Sequence, residues 1–364
     1  MTTSIRRGQA HAFFAFDIGY EVSLEKLTTL AGGTPIPPIS RKRQTPAHIQ
    51  YSRPPVVLNL SGEEEMGPHK CQLQATIFEF GAVSIAYRWQ FRTESQTNLE
   101  DLPQLGHELY NRNLELKARE QVISLIDRIH PAVSRSELSP LVEDYYLFII
   151  EELDQPLTAD ELLSRYHLVL AQTVSLDPVA LSQEQQDEIL NEKMSYSDSD
   201  LTVVDWNAAL IVDPDFEDTA TVLELLNVEL LEARYIDAVL DQRIDDYAGF
   251  LQRRAEWPIP LRTPYKRAAR ELTELRLEYT LLAERVGNSL KLIGDLYLSR
   301  LHLAGVRKLH LQEWERAISD KLRIIDDLYA RLNDRIRTAQ SQALELAIVA
   351  LIVVELLLAL FKSR

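Results

Sequence analysis

The sequence predicts an α+β protein with a ferredoxin-like α/β region at the front, long antiparallel α-helices behind it and a C-terminal transmembrane helix. Three observations carry that reading. Runs rich in β-branched and aromatic residues alternate with helical stretches over residues 1–150. From about residue 217 onward, apolar residues recur at steps of three and four. Residues 343–361, ALELAIVALIVVELLLALF, are apolar but for two glutamates.

In the front region AHAFFAFDI (10–18) reads as a strand, and SLEKLTTLAGG (23–33) as a short helix closed by glycines. Residues 34–55 hold six prolines and the basic cluster Arg41, Lys42, Arg43, which marks a loop or exposed arm and a candidate partner-binding patch. CQLQATIFEF (71–80) and AVSIAYRWQF (82–91) flank Gly81 as a hairpin. A helical stretch at about 98–129 precedes a strand at LVEDYYLFII (141–150). The resulting order, β-α-β-β-α-β, is that of a split βαβ unit.

Residues 151–215 read as an acidic connecting region. From 141 to 232 there are 22 acidic residues against only Arg165 and Lys193, a pattern expected of a solvated face. LSQEQQDEILNEKMSYSDSD (181–200) is a polar linker or short helix, and LTVVDWNAALIV (201–212) a strand entering the second half.

Residues 216–342 read as a helical stalk or coiled coil. Leu226, Leu230, Ala233, Asp237, Leu240, Ile244, Tyr247 and Leu251 form one stripe, and Pro258, Pro260 and Pro264 break the helix. Leu272, Leu275, Tyr279, Leu282, Val286, Ser289, Ile293 and Leu296 form a second stripe, with a bend expected near Gly305. Leu311, Trp314, Ile318, Ile325, Leu328, Leu332 and Ile336 lead towards the tail. This spacing suits antiparallel helices packed within one chain or a coiled coil between subunits.

Nineteen tail residues make a helix of roughly 28 Å, close to the hydrocarbon thickness of a bilayer. Its thirteen Leu, Ile, Val and Phe side chains, Leu351 and Phe361 among them, favour insertion by about 4–8 kcal/mol. Glu345 sits at the rim, whereas Glu355 lies about 15 Å deeper and costs on the order of 3 kcal/mol. Insertion wins. Glu355 is then protonated, or paired with a neighbouring span in a homo-oligomer. The competing reading is a buried C-terminal helix of a soluble domain.

Charge and motifs narrow the function. A formal net charge of -16 argues against direct nucleic-acid binding through a broad basic face. A single cysteine, Cys71, forms no intramolecular disulfide and no cysteine-based zinc cluster. No phosphate-cradling glycine loop, H-E-x-x-H or nucleophile elbow occurs. The histidines are scattered, His302 and His310 reading as surface or capping positions. Asp213, Asp215, Glu217 and Asp218 resemble a cation site, but Asp213–Pro214 reads better as the start of a helix. No catalytic, cofactor-binding or metal residue is assigned. A pocket converging Asp205, Asn207 and the acids of 213–218 would instead favour a membrane-bound enzyme with its site in the α/β half.

Four stretches, IFEFGAVSIAYRW (77–89), LLNVELLEARYIDAVLD (225–241), VGNSLKLIGDLYLSRLH (286–302) and EWERAISDKLRIIDDLYARLND (313–334), together resemble the required-for-meiotic-nuclear-division family. The resemblance implies an α/β front half, long helices and a C-terminal membrane segment. It also implies a role as a membrane-bound organiser, which in eukaryotes is mitochondrial and supports organellar translation, and it brings no catalytic residues. The folded-looking sequence by residue 10 and the lack of a transit peptide favour a bacterial-type member. The expectation is a non-catalytic, tail-anchored scaffold without cofactor. It would be single-pass with its head in the cytoplasm (at the mitochondrial inner membrane if eukaryotic), would self-associate through its helices, and would recruit a protein or ribonucleoprotein partner.

Overall fold

The computed structural model describes residues 3–31, 33–35, 48–51, 53–61, 71–92, 97–253, 265–288, 290–293 and 296–362. The front elements are β1 (Ile5–Asp17), β2 (Glu21–Val22), α1 (Leu24–Ala31), β3 (Thr34–Pro35), β4 (His48–Tyr51), β5 (Val56–Leu60), β6 (Cys71–Ile77) and β7 (Ala82–Arg92). Then come α2 (Leu102–Tyr110), α3 (Leu114–Ile129), β8 (Val133–Ser134), β9 (Glu143–Leu153), α4 (Ala159–Arg165), α5 (His167–Ser175) and α6 (Gln183–Ile189). The remainder are β10 (Lys193–Met194), β11 (Leu201–Val204), β12 (Ala208–Val212), α7 (Glu217–Arg253), α8 (Tyr265–Gly287), β13 (Leu290–Ile293), α9 (Leu296–Lys308) and α10 (Leu311–Lys362).

Nine strands form one sheet in the order β10-β11-β12-β9-β1-β7-β6-β5-β3. Its pairs are antiparallel except β12 with β9. The central four, β9-β1-β7-β6, have the ferredoxin-like order, with α1 between β1 and β6 in the chain and α2 and α3 between β7 and β9. The α+β class therefore holds, in a broader sheet than the expected unit: β5 and β3 widen one edge and β10–β12 the other.

Alternation along β1 sorts its side chains. Ala10, Ala12, Phe14 and Phe16 face a core shared with Ile85, Tyr87 and Trp89 of β7, Leu109 of α2 and Val122 and Leu125 of α3. Gly81 closes the β6–β7 hairpin at φ +103, and its carbonyl accepts from the Ile18 amide at 2.9 Å. A Cβ there would lie 1.7 Å from the Gly19 carbonyl oxygen, so no other residue fits without backbone movement.

Several expected elements differ in detail. The 98–129 helix is two helices, broken where Asn113 takes a left-handed conformation at φ 54. The single strand at 201–212 is a hairpin that turns over Asp205, Trp206 and Asn207. Asp213 does not start α7: its amide still donates to Ile150 in the sheet ladder, and its side chain accepts from the Asp215 amide. No bend occurs at Gly305, which continues α9. A Cβ there would come within 2.3 Å of Leu226, so the glycine serves close packing, and the break comes at His310, φ 52.

The chain divides into two compact units, residues 1–235 with 284–313, and residues 236–283 with 314–364. The segment expected as a stalk from 216 is thereby divided. Residues 217–235 lie in the first unit because Val222, Leu223, Leu225, Leu226, Val228, Leu230 and Leu231 are all buried there, too broad an apolar surface for a solvated helix. In the second unit, Tyr247 donates to Glu271 at 2.9 Å and Phe250 packs edge-on to Tyr265, which sets α7 and α8 antiparallel. Leu328, Leu332 and Ile336 of α10 are buried, as the stripe predicts. The Lys321 ammonium lies 2.6 Å from both Asp237 and Asp241. The predicted proline break at 254–264 lies outside the described residues.

Candidate functional site: a buried polar seam and an exposed apolar helix

The other face of the sheet is unusual for a protein interior. Here β1 presents His11, Phe13, Ala15 and Asp17, and the register sets polar groups beside them. His11 stands across from Arg88, Ala15 lies between Ser84 and Glu143, and Ser84 in turn faces Thr76. The front part of α7 lays Glu224, Asn227 and Glu232 onto this face, each under a tenth exposed. Asn227 donates to the Glu143 carbonyl at 3.1 Å, and Arg234 forms an ion pair with the Glu143 carboxylate.

Burial dominates the electrostatics of this seam. It pushes the Asp17 carboxyl up to about 8, opposed by a hydrogen bond from the Gly19 backbone and reinforced by Glu137. Glu232 is raised well above the carboxylate range by burial and by Asp17, with Arg285 opposing. Neither oxygen of Glu232 has a hydrogen-bond partner, and Nε and Nη2 of Arg285 are likewise unpaired. Glu224 is raised by burial, while Arg88 and the Ser84 and Thr76 hydroxyls favour its charged form. Burial lowers Arg88, and it lowers His11 with help from Arg88, so the imidazole is neutral at ordinary pH. Glu143 is raised to about 7 by burial against Arg234. The seam can take up and release protons in an enclosed interface.

Most acids of 141–232 are exposed or half-buried, as expected of a solvated face, but four depart from it: Glu143, Asp200, Glu224 and Glu232 are buried. Polarity alone did not reveal them, since their partners lie on distant strands. The one local signal is an acid recurring inside a helix that is otherwise apolar on several sides.

The convergence of Asp205 and Asn207 with the acids of 213–218 that would favour the enzyme alternative does not occur. Asp205 and Asp213 flank opposite ends of β12, and five strand residues at about 3.3 Å each hold them roughly 15 Å apart. Asp205 pairs instead with Lys308 at 3.0 Å. No metal-holding group of His, Cys, Asp or Glu occurs among the described residues. His302 lies 3.4 Å from Glu229, a partly buried contact between α9 and α7.

The tail continues α10 without a break. Glu345, Leu351 and Glu355 lie on α10, and Phe361 belongs to its last turn. Every residue from 344 to 359 is exposed, with Leu351 at 69% and Leu358 at 63%. Among the described residues none packs on this segment, which gives the buried-core alternative no support, and no residue after 342 is among those described as buried. The helix is long and apolar enough to cross a membrane, by length and composition. Arg41, Lys42 and Arg43 lie outside the described residues.

Among known proteins, the chain is 25% identical over 240 residues to the uncharacterized protein MJ0711 of Methanocaldococcus jannaschii, covering 65% of this chain and 72% of that protein. No solved structure matches. Residues 7–219, which contain all of the sheet but the first two residues of β1, match the family described as the N-terminal domain of uncharacterized protein MJ0711, and the chain belongs to that family.

Proposed function

We propose that this protein is a membrane-attached organiser rather than an enzyme. Its C-terminal helix anchors it in a single pass, and its α/β unit faces the cytoplasm and recruits a protein or ribonucleoprotein partner. The observation that carries the reading is the exposed segment 344–359, apolar but for Glu345 and Glu355. On an insertion scale its eleven Leu, Ile and Val side chains favour the bilayer by about 3–7 kcal/mol before the cost of Glu355. The stripes on α7, α8 and α10 are already buried within the chain, Leu240, Leu272, Leu282 and Leu332 among them, so self-association would run through the apolar segment, where Glu355 pairs with a neighbouring span. The same arrangement fits the resemblance to the required-for-meiotic-nuclear-division family, whose members act as membrane-bound organisers.

Carbonate washing of membranes that carry the full-length chain tests the anchor. Retention in the pellet is expected, with release of a chain ended at Gln342. Full-length protein in the supernatant would end the proposal. Partner capture from detergent-solubilised membranes tests recruitment. If Arg41, Lys42 and Arg43 contact RNA in such a partner, binding weakens steeply as salt rises.

A further inference from the structure

We propose that the outer face of α9 docks, antiparallel, on the outer face of α8 in a second copy of this chain. The inference rests on the membrane reading above, which gathers copies in one plane. It adds a contact between them outside the apolar segment.

On α9, Leu296, Arg300, Leu303 and Arg307 recur at helical spacing and share one face. All four are exposed, the leucines at 76% and 51%. The opposite side of this helix is already used, since Leu298, Leu301, Ala304 and Gly305 are buried. On α8, Glu274, Leu277, Leu281 and Glu284 recur in the same way. They too are exposed, the leucines at 60% and 42%, while Leu272, Tyr279, Leu282 and Val286 are buried on the other side. Single exposed leucines are ordinary on a protein surface. Two leucine stripes with charges of opposite sign are not, in a chain whose net charge is -16.

The faces are complementary in one arrangement. Laid antiparallel with Leu303 between Leu277 and Leu281, Arg300 falls within a turn of Glu284, and Arg307 falls beside Glu274. Laid parallel with Leu303 in the same seat, Arg300 comes level with Arg276 and is repelled. Arg300 and Glu284 make no ion pair among the described residues, so this pair sets the register. Arg307 already donates to both oxygens of Glu192 at 2.7 and 2.6 Å, and Glu274 accepts from Arg270 at 2.8 Å. These two therefore stay at the rim, and the leucines supply the attraction. From Leu296 to Arg307 the face runs about 16 Å and is one helix wide, short of the roughly 800 Å² per partner of a stable soluble complex. Confinement of anchored copies to a plane raises their effective concentration and offsets that shortfall. Each copy carries both faces, so it can receive one neighbour while docking on another.

Disulfide cross-linking of the full-length chain in phosphatidylcholine vesicles tests the contact. Every chain carries Cys71→Ser, which removes the single native cysteine. One population also carries Leu303→Cys and an affinity tag, the other Leu281→Cys, so a mixed disulfide reports only contact between copies. Oxidation is expected to give the mixed dimer, whereas Leu303→Cys with Ile123→Cys, equally exposed on α3, gives only the product of random collision. Adding Arg300→Glu to the first population should lower the yield about five-fold, and adding Glu284→Arg to the second should restore it. A yield no higher than that with Ile123→Cys, indifference to Arg300→Glu, or no recovery on the charge exchange would overturn the proposal. With no mixed dimer at all, the two faces belong to another protein or to none. Carbonate retention is read on the same vesicles, so this contact can fail while the anchor stands.

Discussion

Asparagine at position 17 tests the polar seam most directly. Asp17 is 4% exposed, and burial holds its carboxyl at about 8. In the unfolded chain an aspartate titrates near 3.9. Between about pH 4 and pH 8 the folded chain therefore keeps a proton that the unfolded chain has lost. The contribution of this group is fully present below the unfolded value and is lost as pH rises towards the folded one. The slope approaches about 1.4 kcal/mol per pH unit, and the loss reaches on the order of 4 kcal/mol by pH 7. Asparagine copies the shape of the neutral acid, and its carbonyl still accepts from the Gly19 backbone. Asp17→Asn should match the wild type near pH 4.5 and exceed it by about 2–4 kcal/mol at pH 7.5. Urea unfolding of the chain ended at Gln342, followed by circular dichroism from pH 4.5 to 8, measures both values. Glu232 leaves a residual slope that the added Glu232→Gln substitution removes. A variant less stable than wild type at pH 7.5, with an unchanged slope, would mean that Asp17 is ionised and paired in the fold, and the reasoning would fail.

Gly81→Ala places a Cβ against the Gly19 carbonyl at positive φ and should cost at least about 2–3 kcal/mol, visible as a lower urea midpoint; a neutral result would mean the turn has room. Lys321→Met leaves Asp237, whose side chain is 15% exposed, beside Asp241 without its cation. The expected loss is about 2–3 kcal/mol, recovered in part by Asp237→Asn in the same chain, and no recovery would argue against charge as the cause. Glu355→Leu removes the charge deepest in the tail, favouring insertion by about 3–4 kcal/mol. Membrane retention should persist while the oligomer in mild detergent shrinks, and an unchanged size would remove Glu355 from any pairing role.

The parts of this fold that are legible in sequence depend on local periodicity, and the parts that are not depend on partners far along the chain. AVSIAYRWQF alternates because Val83, Ile85, Tyr87 and Trp89 face one core while Ser84 and Arg88 face the other side, and the strand follows from that alternation alone. The apolar run 343–361 is likewise legible, because nothing in the chain needs to cover it. The front of α7 defeats the same logic. A polar residue on a helix is ordinarily read as outward, yet Glu224 and Glu232 point inward, and what receives them (Arg88, Ser84, Asp17) lies on strands more than 130 residues earlier. Ser84 and Arg88 alternate with apolar residues as the open face of a hairpin would, and the acids read as a solvated run. Either half alone supports an exposed reading, and only the fold that brings them together reverses it. A buried seam of this kind is a weak source of stability, because removing charge from water offsets what pairing returns. Glu232, with neither oxygen bonded, adds a cost that an apolar residue at that position would avoid. Apolar packing by Leu226, Leu230 and Leu231 must hold α7 on the sheet, and the seam then makes that seating sensitive to pH.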